Sequence, residues 1–592
     1  MCRRRRATGA SKWCSATPAA TSCSVRARAS PARPAAPPPA ARKAERTQGR
    51  VARLAWGARG RGYPERVPDG SRVALVRATS SGNTALGESF EEKKLAESLA
   101  LASLDAYLAA DEDEWDVLLV NPVLDELSAR EAAARVVAHQ PGVVGLSLTY
   151  QWQQEWATAL AQAVKAVSPR THVVVGGMFA TSAWARLLDE IPFIDSVCRG
   201  EGEYTFLELA QRVRADTAWG DVVGLGYRDL LGRAMCTDAR PRIRTLGDLP
   251  FPTRTQLPAA LAAGGVIQIE ASRGCSAHCT FCDVRKTGWV GRPARHFVDE
   301  LEALCAAHPG EQVWIVDNIF IGFGKGRFER AEQIAQEILD RGIDVRFAAQ
   351  DRVNNTNPAT FALLKQAGLN RVYLGVESFA GSALERWEKG ATAVQNMAAI
   401  HTLRDLGIYS QIGFLVFDGD TTLDEIDVDI KGLRRACKDN AYLHLANFNE
   451  LIPYTGTHLE AQYRERFGRV PDTASTNVWE FGAEVQTVRD HAHDYLEAIW
   501  PATEVIVSNY DDPDAQAQMH KTLPTKNRCF VDYLDGLLSR VVASAPRREL
   551  ESFSSEAVTT TRTDLLDTLR DWDSGEEHDR YESAFAAIGI AG

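Results

Sequence analysis

Two stretches of the 592-residue chain alternate short apolar runs with segments of helical period. In the first, VALV from Val73 reads as a buried strand. KKLAESLALASLDAYLA follows, with Leu95, Leu99, Leu104 and Leu108 close to helical spacing. WDVLLV from Trp115 is a second strand, VVGLSL from Val143 a third, HVVVGG from His172 a fourth, and IDSVCRG a short fifth. The segments between them are helical, and Ser128 with Glu131 forms an S-x-x-E capping box ahead of AAARVVA. Strands that alternate with helices predict a doubly wound parallel sheet.

The second stretch repeats the alternation. Strands are expected at VIQIE (Val266), VWIV (Val313), VRFAA (Val345), RVYLGV (Arg371), QIGFLV (Gln411) and LHLANF (Leu443). One intervening helix carries Asn357 as N-cap, Pro358 at its first position and Gly368 past its end. Another opens on a Thr422–Glu425 capping box. Six such repeats predict a partial (β/α)6 barrel of TIM type, with chemistry at the C-terminal strand ends. Beyond Thr455 the pattern is mostly helical, with Trp479 and Tyr533 among its aromatic residues. The expected class is therefore α/β. A Rossmann- or flavodoxin-like domain over 71–215, a linker over 216–261 and the barrel over 262–455 precede a helical region over 456–592, which is expected to cap the substrate pocket, with simple core packing of its aromatic residues as the alternative.

Composition narrows the class. The apolar fraction is 45% and the charged fraction 24%, as in soluble globular chains. A net charge of -11 argues against a general nucleic-acid binder. No apolar run approaches the roughly 20 residues of a membrane span. Residues 1–70 begin with an Arg-, Ala- and Pro-rich segment whose only acidic residue within the first fifty is Glu45, and they are expected to be a disordered tail. The scattered cysteines imply no disulfide framework, which fits a reducing, cytoplasmic compartment.

One cysteine cluster stands out: Cys275, Cys279 and Cys282 in CSAHCTFC, directly after the first barrel strand. Structural zinc sites want four ligands, usually as two spaced pairs. Three thiols within eight residues instead suit three irons of a [4Fe–4S] cluster and leave the fourth iron open. Zinc and a bare redox dithiol are the alternatives. In the first domain, ligands of such sheets sit beyond the strand ends. Those ends carry Ser147 and Thr149, Gly176 and Gly177, then Gly200 and Glu201 in GEGE. A nucleotide or flavin site, or a sheet without ligand, is the alternative there.

These motifs carry a resemblance. C-x3-C-x-φ-C at the end of the first barrel strand resembles the signature of the radical SAM superfamily. GLSLT, VVVGG and IDSVCRGEGE resemble the cobalamin-binding domain of its B12-dependent members, methyltransferase type. The resemblance implies three cofactors: the [4Fe–4S] cluster, S-adenosyl-L-methionine (SAM) and cobalamin. It implies SAM contacts at Phe281, Asp317, Asn318, Arg352, Glu377 and Ser378. It implies cobalamin contacts at Ser147, Thr149, Gly176, Gly177, Gly200 and Glu201. Thr84 stands where many relatives carry a cobalt-ligating His, so no His ligand is implied, and Arg77 and Asn83 are candidate neighbours of the cobalt. The implied reaction is methyl transfer from SAM through methylcobalamin to a carbon of a small molecule or peptide, in secondary-metabolite or antibiotic biosynthesis. Flavodoxin or ferredoxin would supply electrons, and neither nucleic acid nor membrane is an expected partner. Rearrangement or cyclisation without methylation is the alternative reaction, and a cobalamin-binding sensor the non-enzymatic one. KGATAVQN from Lys389 is similar to a stretch of peptide-maturing radical SAM proteins.

Overall fold

The computed structural model describes residues 69–80, 96–284, 287–445, 449–470, 479–508 and 513–569. Its first sheet has strands β1 (Asp69–Arg77), β2 (Asp116–Val120), β3 (Pro141–Ser147), β4 (His172–Gly176), β5 (Ser196–Cys198), β6 (Leu225–Arg228) and β7 (Ala234–Cys236). Their order is β2-β1-β3-β4-β5-β6-β7. The first five strands are parallel, with Val73 of β1 beside Val117 and Val143. The chain order reverses between β1 and β3, which is where such a sheet opens a ligand crevice. β1, β3 and β4 are continuous apolar runs because helices bury both their faces. Those helices are α1 (Leu99–Ala109), α2 (Ala129–His139), α3 (Gln154–Val167), α4 (Met178–Glu190) and α5 (Gly202–Arg214). The Ser128–Glu131 capping box opens α2 as expected.

The expected linker does more than connect. β6 and β7 add to the first sheet as an antiparallel hairpin. Arg228 fastens β6 by donating to the carbonyls of Leu188, Ile191 and Ile194. α6 (Leu257–Ala262) then leads into the barrel.

The barrel strands are β8 (Ile267–Ile269), β11 (Gln312–Ile315), β12 (Arg346–Arg352), β13 (Leu369–Glu377), β14 (Tyr409–Phe417) and β15 (Leu443–Leu445). A short ribbon, β9 (Ser272–Arg273) with β10 (Val290–Gly291), brackets the cysteine loop, and β16 (Asn449–Glu450) pairs with β14. The six strands are parallel and lie in chain order from β8 to β15, so the barrel stays open between those two. Side chains alternate as strand geometry requires. Val313, Ile315, Phe347, Val372, Leu374 and Ile412 pack under the surrounding helices. These are α7 (Ala294–Ala307), α8 (Arg327–Arg341), α9 (Pro358–Gln366), α10 (Gly381–Arg386), α11 (Ala393–Asp405) and α12 (Leu423–Cys437).

α13 (His458–Phe467) follows, and then three long helices, α14 (Ala483–Ser508), α15 (Pro513–Val542) and α16 (Arg547–Leu569). Val488, Tyr495, Phe530 and Leu534 of this bundle share the barrel's own core. α15 runs along the open edge at β15. Asn527 Nδ2 donates to the Leu443 carbonyl at 2.6 Å, and Lys526 Nζ to that of Leu445 at 2.6 Å. The bundle thus satisfies a strand edge that would otherwise be exposed. Contact with the cysteine loop comes instead from α13 and Trp479.

One half-buried arginine ties the first domain to the barrel. Arg254 of the connector pairs with Glu97, just before α1, and with Glu300 of α7, 2.6 Å away. The Glu97 and Glu300 side chains are only 1% and 4% exposed. Burial pushes the Glu97 carboxyl above its ordinary range, and Arg254 opposes that shift. Arg254→Met leaves Glu97 without its cation and Glu300 with Arg292 alone. The expected loss is about 3–5 kcal/mol, the cost of stripping one partner from a buried pair. Urea unfolding followed by tryptophan fluorescence measures it, and an unchanged midpoint would contradict it.

Candidate active site where the two sheets face each other

The cysteine loop is fixed from four sides. Asp317 accepts from the Ala271 N–H at 2.7 Å and from Ser272 Oγ at 2.6 Å, anchoring the strand end just ahead of the loop. Cys275 N–H donates to Thr287 Oγ1 at 3.1 Å, and Gly288 N–H to the Cys275 carbonyl at 3.1 Å. Thr280 is clamped in the middle: its N–H donates to the Trp387 carbonyl at 3.0 Å, and its carbonyl accepts from Leu459 N–H at 3.1 Å. Gly274 at φ +78 makes the entry turn, and a Cβ there would lie 2.2 Å from the Gly288 carbonyl oxygen.

Cys275 and Cys279 are buried and Cys282 is half-buried. They cluster with Ala277 and Ile319, with Phe281 packed against them. Burial pushes the Cys282 thiol up to about 12. Arg352 Nη1 donates to Cys279 Sγ at 3.3 Å, and the Ala277 N–H to Cys275 Sγ at 3.3 Å. Sulfurs that already receive N–H donors, on one loop beside a fixed guanidinium, fit ligands of an iron–sulfur cluster.

The expected SAM residues divide into two groups. Arg352 and Glu377 meet at the mouth through Lys389. Lys389 Nζ pairs with Glu377 Oε1 at 2.7 Å, and its carbonyl accepts from Arg352 Nη2. Gly375 leaves room for this pair, because a Cβ there would lie 2.8 Å from Lys389 Nζ. Glu377 holds φ +68, a conformation that costs about 1–3 kcal/mol. Phe281 packs edge-on to Trp387, two residues before Lys389, at 6.3 Å between centroids. Asn318 is exposed at the end of β11.

Asp317 and Ser378 point the other way. Asp317 is 2% exposed and spent on the backbone before the loop, and burial pushes its carboxyl up to about 7. Ser378 Oγ donates to Asp429 at 2.8 Å, and the N–H groups of Phe379 and Ala380 reach the same carboxylate at 2.6 Å and 3.0 Å. Both side chains are taken up by protein partners. Lys389 carried no expected role, and its signal was the quoted KGATAVQN.

At the first sheet, Ser147 and Thr149 flank buried Leu148, and the loop is held by Gln153, which no motif had singled out. Gln153 Oε1 accepts from the N–H groups of Thr149 and Tyr150 at 2.8 Å and 3.0 Å, while its Nε2 donates to the Ala78 carbonyl at 3.0 Å. Gly176 and Gly177 end β4, and Gly177 at φ +112 would put a Cβ 2.6 Å from the Leu148 carbonyl oxygen. A Cβ on Gly200 would meet nothing within 4 Å, so its backbone borders open space. Small residues at two adjacent strand ends, with open space at Gly200, fit a broad planar ligand lying close to the backbone. Glu201 does not face that space: its Oε2 accepts from the Ile243 N–H at 2.7 Å, and Arg242 and Arg273 lie 3.7 Å from its Oε1. Arg77 donates to the Ala96 carbonyl at 3.1 Å, while Asn83 and Thr84 lie outside the described residues. Gly177→Ala is expected to strain the β4–α4 turn by about 1–3 kcal/mol and weaken cobalamin retention. Absorbance after gel filtration reads it, and full retention would remove Gly177 from the cradle.

The two sheets present these ends toward each other. Trp152, beyond β3, stacks on Tyr150 at 4.7 Å and meets Tyr454 at 6.2 Å. A Cβ on Gly456 would lie 3.0 Å from Ser182 of α4. The segment that touches the first sheet therefore runs on into Leu459, which holds the cysteine loop.

Comparison with known proteins agrees with this geometry. Residues 93–210 match the B12 binding domain, and residues 269–430 match the Radical SAM superfamily. An uncharacterized methyltransferase of Pyrococcus horikoshii is 29% identical over 60% of this chain and 76% of its own. An anaerobic magnesium-protoporphyrin IX monomethyl ester cyclase of Rubrivivax gelatinosus is 28% identical over 62% of this chain and 68% of its own. The structure of OxsB, a cobalamin-dependent S-adenosylmethionine radical enzyme with aqua-cobalamin and S-adenosylmethionine bound, superposes with TM-score 0.70. It covers 88% of this chain and 83% of its own, at 17% identity. With both domains matched in order, this chain carries a B12 binding domain followed by a Radical SAM superfamily domain, in the fold of the OxsB structure.

Proposed function

We propose that this enzyme transfers a methyl group from SAM, by way of cobalamin, to a carbon of a small molecule or peptide in a secondary-metabolite pathway such as antibiotic biosynthesis. The observation that carries the reading is the opposition of the two sheets across Trp152, Tyr454 and Leu459. A substrate entering between them would meet both cofactors at once. When bound, the cluster supplies the electron that cleaves SAM to a 5′-deoxyadenosyl radical, and cobalamin carries the methyl group. Cys275, Cys279 and Cys282 would hold the cluster. Arg352, Glu377, Phe281 and Asn318, with Lys389, would orient SAM at the mouth. The backbones around Ser147, Thr149, Gly176, Gly177 and Gly200 would cradle cobalamin. α13 and Trp479 would shape the pocket rim. Flavodoxin or ferredoxin in the reducing cytoplasm would be the electron source.

The test is anaerobic incubation of the reconstituted enzyme with methyl-labelled SAM and candidate substrates. The expected product gains one labelled CH2 unit. The cyclase relative favours a second reading, rearrangement or ring closure. 5′-Deoxyadenosine forming beside a product without label would select that reading and reject methylation.

A further inference from the structure

GEGE was expected to touch cobalamin, yet both its carboxylates turn away from the open backbone at Gly200. Arg273 Nη1 lies 2.8 Å from Glu203 Oε1 and 3.7 Å from Glu201 Oε1, and Arg273 Nε lies 2.7 Å from Glu270 Oε1. Glu201 caps α5 and Glu203 lies in its first turn, after the first sheet's β5, while Glu270 directly follows the first barrel strand. Arg273 itself precedes Gly274 and Cys275. The Glu203 and Arg273 side chains are 6% and 16% exposed. Arg242 closes the arrangement from the connector, donating to the Thr287 carbonyl at 2.8 Å and to that of Gly288, whose N–H holds Cys275. From Gly200 to Cys275 the path is therefore two short backbone segments joined by one buried ionic contact.

A single guanidinium shared by carboxylates of both domains is out of proportion for bracing one loop, since Glu270 alone would do that. Its planar fork suits several carboxylates at fixed angles, which an ammonium does not match. We propose that Arg273 is a positioning residue that sets the distance between the cobalamin-binding strand ends and the cysteine loop, with Glu201 and Glu203 as its partners across the domains. This holds whichever carbon chemistry follows, so it stands or falls apart from the methylation reading.

Both cofactors have paramagnetic states, cob(II)alamin and the reduced cluster, so pulsed EPR on the full-length loaded enzyme measures their separation directly. The wild type is expected to give one narrow distance distribution. Arg273→Met and the double variant Glu201→Gln with Glu203→Gln are expected to broaden or shift it while both cofactors stay bound. Arg273→Lys should restore it only in part, and Glu270→Gln should leave it in place. An unchanged distribution in the double variant would overturn the proposal. So would loss of the cluster in Arg273→Met with no change in the double variant, because Arg273 would then serve its own loop alone.

Discussion

Cys279→Ala is expected to abolish 5′-deoxyadenosine formation while leaving cobalamin bound. Cys279 is the central thiol of the loop, 4% exposed, and its sulfur receives the Arg352 guanidinium. A methyl group there keeps the volume of a small apolar residue, so the surrounding contacts with Ala277 and Ile319 survive. The loop backbone also survives, because its anchors are carbonyls, N–H groups and Thr287 rather than the thiol. What disappears is one of three thiolates, and with it a stable cluster. The cobalamin cradle rests on a separate core around Val144, Leu146 and Val175. Iron content, the cluster's absorbance and 5′-deoxyadenosine yield should therefore fall together to background. Cobalamin content should stay at the wild-type level. Sustained SAM cleavage in this variant would remove Cys279 from the ligand set.

The strands, their helices and the cysteine loop were legible because each rests on local signals: apolar runs, capping boxes and thiol spacing. The division among the SAM residues was partly written in the sequence, in the two-residue period of a strand. Val313, Ile315 and Asp317 share parity, as do Val372, Leu374, Val376 and Ser378. Each series is apolar and faces the helices, so Asp317 falls on that side, and Arg352 has the parity of Gln350 and Ala348, which puts it on the inner face. The period stops at Glu377, where the strand shifts register and φ is +68, so Glu377 and Ser378 owe their places to Lys389 and Asp429 instead. The roles of Glu201, Glu203 and Gln153 were not legible, since each depends on partners distant in the chain. Glu201 and Glu203 meet Arg273 some 70 positions on, and Gln153 reaches back to Ala78. The hairpin β6–β7 was hidden for another reason. Its strands are short, 4 and 3 residues, and they owe their place to Arg228 rather than to an apolar run.

Arg352→Met is expected to slow SAM cleavage by about 10- to 100-fold, the usual cost of removing a group that supports a metal ligand. Met keeps most of the buried stem, so the loss is of charge and donors. The wild-type guanidinium does two things at once. Nη1 donates to Cys279 Sγ at 3.3 Å, and Nη2 holds the Lys389 carbonyl. The first places a permanent cation beside a thiolate that gains negative character whenever the cluster is reduced. At about 4 Å, such a charge is worth about 4 kcal/mol at an effective dielectric constant of 20, an upper measure that solvent and SAM both diminish. The second keeps Lys389 turned toward Glu377, where its ammonium spans 2.7 Å. These contributions separate by experiment. Arg352→Met should lower the cluster's midpoint potential in an EPR-monitored titration without SAM, whereas Lys389→Met should lower it less and weaken SAM binding more. Glu377→Gln keeps a hydrogen-bond partner for Lys389 and removes the opposing negative charge, so its potential should move the other way. If Arg352→Met leaves the potential at the wild-type value, the guanidinium acts only through the mouth geometry. Its contact with Cys279 would then carry no electronic consequence.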